Sequence, residues 1–201
     1  MLRGVSQGAR TSGPPTPLCE NGERRNGMST QIQRAGKADY RLTSEVWLPR
    51  PVEEIFAFFS NAANLQTITP PWMQFRILTP QPIRMDRDAL IDYRLQIRGI
   101  KLEWRSRITT WEPGERFVDE QVIGPYRFWR HEHVFVPHYG GTICRDSVSY
   151  AVPGGRLIHA LFVAPDLRRV FAYRGEKLRQ LFEAPLAKAP PRQLELHGMP
   201  A

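Results

Sequence analysis

The sequence predicts an α+β domain in which a curved antiparallel sheet of seven strands wraps around a long C-terminal helix. Three observations lead to this fold class: strand-like alternation fills residues 72–150, two short helical segments follow the first strand, and one long amphipathic helix closes the domain. An amphipathic helix must cover an apolar sheet face, so the two are expected to pack on each other. A chain of 201 residues is long enough for one such domain with a core.

The first strand is expected to begin at Asp39. Apolar and polar side chains alternate over Leu42–Leu48, as they do in a strand with one buried face. The Pro-Arg-Pro segment that follows ends the strand, and its last proline suits the first turn of a helix. Glu53 and Glu54 favour the positive end of the dipole of this helix, VEEIFAFFS. A second short helix is expected around residues 61–67.

Six further strands are expected between Trp72 and Tyr150. Turn signals recur there at roughly 10 to 15 residues, which is typical of consecutive antiparallel hairpins with long strands. The turn signals are Asp86-Arg87-Asp88, Arg98-Gly99, Pro113-Gly114, Gly124-Pro125 and Gly140-Gly141.

The last element is expected to be a long helix with one apolar stripe. Pro165 fits its start, with Asp166 in its first turn. The preceding segment, RLIHALFVA, is either a separate short helix or a flap. Arg174 is the charged member of the stripe. The stripe consists of Leu167, Val170, Phe171, Arg174, Leu178, Leu181 and Phe182.

Both ends of the chain are expected to be disordered tails. Residues 1–38 are rich in Gly, Ser, Pro, Gln and Arg, and residues 185–201 are rich in Pro, so neither can bury enough apolar surface to fold. The domain is therefore expected over residues 39–184, and Met28 is a candidate translation start. The net charge is +8, of which the N-terminal tail contributes +4. Because nucleic-acid recognition needs charge clustered on a folded face, specific nucleic-acid binding is not expected.

The cysteine content and hydropathy favour a cytoplasmic protein with reduced thiols. Cys19 and Cys144 are too few for a disulfide framework. No apolar run approaches 18 residues, so no transmembrane helix is expected. The basic N-terminal residues are not followed by the apolar segment of an export signal.

Alternation along the strands identifies the face that should point inward. One strand places Ile91, Tyr93, Leu95 and Ile97 on a common face, and the next does the same with Leu102, Trp104, Ser106 and Ile108. The last three strands mix polar and aromatic residues on their inward faces. The polar members are Asp119, Gln121, His131, His133 and Asp146, and the apolar members include Phe117, Trp129, Phe135, Val148 and Tyr150.

The segment RFWRHEHVF places two histidines two residues apart. Residues at this spacing in a strand share a face, so His131 and His133 should project together and Glu132 away from them, unlike the helical His-Glu-x-x-His zinc motif. Two such histidines can chelate a metal with Asp119 or Asp146 as the third ligand. Sheet histidines are more often hydrogen-bonded core residues, so no metal or other cofactor is expected. The same four residues are the candidate catalytic group for acid–base chemistry, and the sequence does not decide which histidine pairs with which carboxylate.

Aromatic and aliphatic walls with a few polar groups favour binding of a hydrophobic small molecule, such as a lipid, quinone or polyketide. Arg174 is expected either to pair with a cavity carboxylate or an anionic ligand group, or to reach the surface with its stem packed. Pro70-Pro71-Trp72 and RLIHALFVA are expected to border the entrance, where they would suit a gate or a transient membrane-surface contact. The candidate ligand-binding residues are Tyr93, Trp104, Phe117, Gln121, Trp129, His131, His133, Phe135, Tyr150 and Arg174.

Four sequence blocks resemble the START/Bet v 1-type helix-grip superfamily, also called SRPBCC or polyketide cyclase/dehydrase-like, and in particular a bacterial subgroup of it. They are LPRPVEEIFAFFSNAANLQTITPPW, FVDEQVIGPYRFWRHEHVF, GGTICRDSVSYAVPGG and VFAYRGEKLRQLF. The resemblance covers about residues 39–184 and implies a helix-grip fold with a ligand cavity. It does not imply one activity, because the superfamily includes lipid and hormone carriers, cyclases and chaperone-associated modules.

Two alternatives to a ligand-binding module therefore remain. One is a cyclase, dehydratase or hydrolase that uses the His/Asp group without metal. The other is a protein-interaction module of the same fold, whose basic tail contacts an acidic partner or the ribosome.

Overall fold

One antiparallel sheet of eight strands dominates the computed structural model, which describes residues 29–36 and 39–183. The strands lie in the order β1-β2-β8-β7-β6-β5-β4-β3. Their bounds are β1 Ser29–Arg34, β2 Asp39–Leu48, β3 Arg76–Ile77, β4 Leu90–Ile97, β5 Ile100–Glu112, β6 Arg116–Ile123, β7 Phe128–His138 and β8 Gly141–Ala151.

Strand β1 corrects the expectation that the chain is disordered up to residue 38. All six of its residues pair with Tyr40–Glu45 of β2. It lies at the edge of the sheet, where no other strand among the described residues pairs with its outer side, and Ile32 is its one residue that packs against the core. A strand with so little buried surface leaves a weak apolar pattern in the sequence. Residues 1–28, 37–38 and 185–201 of the predicted tails lie outside the described residues.

The remaining elements follow the predicted order and confirm the α+β helix-grip fold, with eight strands instead of seven. After β2 come the short helices α1 and α2 and a single 3₁₀ turn at Pro71–Met73. After β8 come α3 and α4. The helices are α1 Val52–Phe59, α2 Asn64–Thr67, α3 Gly155–Ile158 and α4 Ala164–Phe182.

The C-terminal helix begins ten residues earlier than predicted. A π-helical segment, His159–Val163, joins α3 to α4, so RLIHALFVA belongs to one continuous helical run of 28 residues and is neither a separate helix nor a flap. Pro165 has no amide proton and would break a regular α-helical ladder. The wider π turn immediately before it accommodates the proline without ending the helix.

Side chains fill the concave face unevenly. Helix α1 covers one end of the sheet, where Phe56 meets the ring of Phe135 edge-on at 5.5 Å between centroids. Helix α4 buries most of the predicted stripe and packs over β1 and β2, although Leu181 is 38% exposed. Over β4–β7 the same face is left open as a cavity. None of the helices among the described residues is long and apolar enough to cross a membrane.

Candidate functional site

A cavity of about 760 Å³ lies between strands β4–β7, the N-terminal half of α4 and the α1–α2 region. Its wall is mainly apolar and aromatic, and it includes Tyr93, Trp104, Phe117 and Trp129, four of the residues predicted to bind a ligand. Ring contacts connect three of them: Tyr93 stacks on Trp104 at 5.9 Å between centroids, and Trp104 meets Trp129 edge-on at 5.5 Å. A volume of this size is typical of sites for small organic molecules.

The cavity reaches the surface between the β4–β5 turn, the π-helical segment and the 3₁₀ turn. Trp72, Ile100 and Phe162 line the cavity and are 39%, 65% and 41% exposed. Arg98 of the β4–β5 turn spans this opening, because its guanidinium donates to both carboxylate oxygens of Asp166 at 2.7 and 3.0 Å. The mouth therefore combines an apolar rim with one ion pair that holds the turn to α4.

At the inner end of the cavity lies a buried polar cluster, which consists of Asp119, His131, His133, Asp146 and Arg174. Asp146 Oδ1 is 2.9 Å from His131 Nε2 and 2.8 Å from His133 Nδ1. On the other side of the two rings, Asp119 Oδ2 is 3.2 Å from His133 Nε2 and 3.7 Å from His131 Nδ1. The two imidazoles lie 3.8 Å apart between centroids, and thus both point inward as the strand spacing predicted.

The strand register explains why these side chains meet. In the ladder, His131 of β7 is opposite Asp119 of β6, and His133 is opposite Asp146 of β8. Each carboxylate also reaches the diagonal histidine, so both rings are held between two acids. Phe117 stacks on the His133 ring at 4.2 Å and limits its rotation.

Arg174 enters the cluster from α4. It is 9% exposed, and its Nε lies 3.7 Å from Asp146 Oδ2 without a hydrogen bond of its own. Its Nη2 approaches His133 Nδ1 at 3.4 Å, a longer distance than the 2.8 Å between Nδ1 and Asp146. The His133 Nδ1 proton is therefore best placed toward Asp146. Two positions were predicted for Arg174, at the surface or paired inside the domain. Its side chain is buried and lies beside the carboxylate of Asp146.

The electrostatics of the cluster favour two ionised carboxylates. Burial opposes ionisation, but the histidines and Arg174 outweigh it and lower the pKa of Asp119, and they hold the pKa of Asp146 well below its usual range. Burial also opposes protonation of His133, yet hydrogen bonds to both carboxylates raise its pKa. Burial, followed by the nearby His133, lowers the pKa of His131. A neutral His131 and a protonated His133 then balance the charges.

A hydrogen-bond chain extends the cluster along the cavity wall through Ser106. Its Oγ accepts from Trp104 Nε1 at 3.1 Å and from the Tyr93 hydroxyl at 3.0 Å, and it donates to Asp119 Oδ1 at 3.4 Å. Burial raises the pKa of Tyr93 well above its usual range, so this phenol is a hydrogen-bond donor. Ser106 was not a predicted site residue. Its signal in the sequence is a small polar residue at an inward position among apolar ones.

Four predicted site residues lie behind or beside the cavity wall. Asp146 is beneath the histidines, and Phe135 packs under α1. Tyr150 is fully buried and its hydroxyl meets His159 Nε2 at 2.9 Å. Gln121 closes the β6–β7 loop, because its side-chain amide bonds the backbone of Tyr126 at 2.7 and 3.2 Å. Of the candidate ligand-binding residues, Gln121, Phe135 and Tyr150 therefore do not line this cavity.

Part of the cluster also has the composition of a metal site. Within the described residues, Asp119, His131 and His133 present ligand atoms that all lie within 4.8 Å of one another. All three residues line the cavity, as does Arg174, whereas Asp146 does not; the guanidinium of Arg174 approaches the side of the rings that faces Asp146.

Comparison with solved structures supports the same fold. Protein Ms6760 from Mycobacterium smegmatis superposes with a TM-score of 0.57 at 13% identity, over 79% of this chain and 99% of that chain. The ginseng major latex-like protein 151 from Panax ginseng gives a TM-score of 0.55 at 9% identity, over 72% and 98%. At these identities the similarity shows the fold alone.

A third solved structure has higher sequence identity but is much longer. The nucleoside-diphosphate sugar epimerase from Corynebacterium glutamicum is 28% identical, with a TM-score of 0.53 over 69% of this chain and 28% of that chain. The present domain therefore resembles one part of that protein.

Family assignment rests on the sequence profile. No curated protein sequence matches the chain. The profile of the family described as polyketide cyclase / dehydrase and lipid transport matches residues 48–179, which is well over half of the chain. This range contains the cavity wall and the polar cluster. The chain therefore belongs to the polyketide cyclase/dehydrase and lipid transport family, within the SRPBCC superfamily.

Proposed function

We propose that this protein binds one hydrophobic small molecule, such as a lipid, quinone or polyketide, with a polar end of the ligand at Asp119, His131 and His133. The observation that carries the proposal is the division of the 760 Å³ cavity into an apolar wall and a single inner polar end. Burial of apolar ligand surface supplies affinity, and a few fixed polar groups orient the ligand. Family membership supports ligand binding in general.

The polar end is suited to a ligand hydroxyl that donates. His131 Nδ1 keeps a lone pair because it is 3.7 Å from Asp119, and the oxygens of Asp119 and the Tyr93 hydroxyl offer further acceptor positions on the cavity wall. A buried polar group costs free energy when it has no partner, so an apolar ligand without a polar end would bind less well. The cytoplasmic location and the transient membrane-surface contact expected from the sequence remain predictions.

A cavity-filling pair of variants tests this proposal. Leu102 lines the cavity and Leu90 lies on the outer groove of the sheet, so Leu102→Trp should block the ligand and Leu90→Trp should not. The readout is native mass spectrometry, with organic extraction, of each protein purified from its own host. We expect about one bound molecule per chain for the wild type and Leu90→Trp, and none for Leu102→Trp. Empty wild-type protein, or equal occupancy in both variants, would contradict the proposal.

The second candidate function is acid–base catalysis in the same cavity, as in a cyclase or dehydratase. The pairing of His131 with Asp146 favours it, because a neutral imidazole held by a carboxylate can accept a proton through its other nitrogen. His131 Nδ1 is 3.7 Å from Asp119, too far for a hydrogen bond, and so keeps its lone pair.

The extracted ligand separates the two functions. If the protein is an enzyme, His131→Gln should retain ligand binding and lose turnover of that molecule, whereas His138→Gln, at an exposed position of the same strand, should behave as wild type. If the protein only binds, the wild type returns the ligand chemically unchanged.

A further inference from the structure

We propose that Asp119, His131 and His133 bind one divalent first-row transition-metal ion of the Zn²⁺ or Co²⁺ type, with open coordination positions facing the cavity. This site is independent of which molecule fills the apolar part of the cavity. Two imidazoles and one carboxylate are a ligand set used by such ions, and a site with three protein ligands keeps a position for water or substrate.

The distances on the cavity side are those of ligands that share an ion. His133 Nε2 and His131 Nδ1 lie 3.2 and 3.7 Å from Asp119 Oδ2. Two ligands each about 2.1 Å from a metal are about 3.4 Å apart in tetrahedral geometry and at most about 4.2 Å apart. The ligand atoms of the three residues all lie within 4.8 Å of one another, so the widest pair must close by at most about 1.4 Å to reach the tetrahedral separation. The 3.7 Å separation is too long for a hydrogen bond but suits two co-ligands.

On each ring, the nitrogen that faces away from Asp119 contacts a carboxylate, as the second nitrogen of a metal-bound histidine commonly does. His131 Nε2 and His133 Nδ1 both meet Asp146 Oδ1, at 2.9 and 2.8 Å. Metal-bound histidines commonly donate their second N–H to a carboxylate, which leaves the lone pair of the other nitrogen free for the metal. With protons on these two far nitrogens, both near nitrogens present lone pairs toward Asp119 Oδ2.

The surrounding charges also place the ion on the Asp119 side. Arg174 Nε lies 3.7 Å from Asp146 Oδ2, so a cation on that side would face a guanidinium. Asp119 Oδ1 accepts from Ser106, whereas Oδ2 faces the two histidines and is available to the ion. In the metal-free protein the proton on His133 Nε2 occupies the same place, so binding an ion releases that proton.

Metal titration of the full-length, untagged chain tests this inference. Protein stripped with a chelator is titrated with Zn²⁺ by calorimetry and with Co²⁺ by visible absorption. We expect one ion per chain and cobalt absorption bands typical of fewer than six ligands. His131→Gln, His133→Gln and Asp119→Asn should each weaken binding by about 100-fold or more, since loss of an outer carboxylate alone typically costs 10- to 100-fold. His138→Gln should bind as tightly as wild type.

A second measurement remains decisive if a variant fails to fold. Anomalous scattering from wild-type crystals grown with Zn²⁺ should place the ion about 2.0 to 2.2 Å from Asp119 Oδ2, His131 Nδ1 and His133 Nε2. Failure of stripped wild-type protein to bind an ion stoichiometrically would overturn the inference, as would an ion located elsewhere or unchanged affinity in His131→Gln. Because no cavity ligand is needed, a negative result would leave the proposed binding function standing.

Discussion

Replacement of Asp146 by Asn should destabilise the domain far more than loss of a surface carboxylate. Asp146 is 9% exposed and contacts His131, His133 and Arg174 at 2.9, 2.8 and 3.7 Å. Asn has the same shape but no charge, so Arg174 loses its carboxylate partner in a buried site and the protonated His133 keeps only Asp119. Removing one partner of a buried ion pair typically costs about 3 to 5 kcal/mol. We expect a loss of that size in the free energy of unfolding.

The matched control is Glu45→Gln on the outer face of the neighbouring strand. Glu45 pairs with Arg145 at 2.8 Å, but both side chains are more than 40% exposed. Such surface pairs contribute about 0 to 1 kcal/mol. Urea unfolding of both variants at neutral pH in the presence of a chelator, followed by tryptophan fluorescence, gives the comparison. Equal losses in the two variants, each under about 1 kcal/mol, would refute the view that a charge-balanced buried cluster stabilises the fold.

A double-mutant cycle with Arg174→Met isolates the interaction. Once the guanidinium is removed, Asp146→Asn should cost less, because fewer buried positive charges are left without a partner. Coupling energies of contacting residues are typically about 0.5 to 3 kcal/mol. Additive losses would show that Arg174 and Asp146 do not interact energetically.

Three further predictions concern residues away from the cluster. Burial lowers the pKa of His159 in the folded protein below its value in the unfolded chain. The contribution of this residue to stability is therefore complete above about pH 6.5 and is lost as the pH falls. In urea unfolding, His159→Gln should reduce the free energy of unfolding more at about pH 7.5 than at about pH 5. A larger cost at the lower pH would contradict this sign. Gly141→Ala should lower the free energy of unfolding by about 1 to 3 kcal/mol, because the added methyl group collides with the Leu48 carbonyl oxygen and the Trp47 ring. An unchanged melting temperature would show that this collision does not occur. Gln121→Ala should increase hydrogen exchange at the Tyr126 amide, which bonds the Gln121 side chain at 3.2 Å, and equal exchange would show that the loop closes without it.

Alternation along single strands was sufficient to predict which faces point inward. It correctly placed His131 and His133 on the buried face and Glu132 on the other. It could not predict the pairing of histidines with carboxylates, since that depends on the register between β6, β7 and β8. The result is that both acids contact both rings.

The residues that line the cavity were harder to predict than the residues that point inward. The helices that pack on the sheet cover some of the inward residues and leave others exposed to the cavity. Phe135 and Tyr150 point inward, but α1 covers the first and His159 of the π-helical segment covers the second. Neither contact has a local pattern in the sequence. Strand β1 was missed for a related reason, since STQIQR is polar and buries only part of one edge. Pro165 indicated the start of the helix, although the helical run continues through it. In sequence alone, a proline that follows a π turn looks the same as a proline in the first turn of a helix.

A crystal structure of the full-length protein, purified without denaturation from its own host, tests the central claim most directly. The claim predicts continuous density for one elongated or flat molecule in the cavity over β4–β7, with its polar end within hydrogen-bonding distance of Asp119, His131 or His133. A cavity filled by rearranged side chains, or a ligand whose polar end points to the mouth at Trp72 and Phe162, would contradict it.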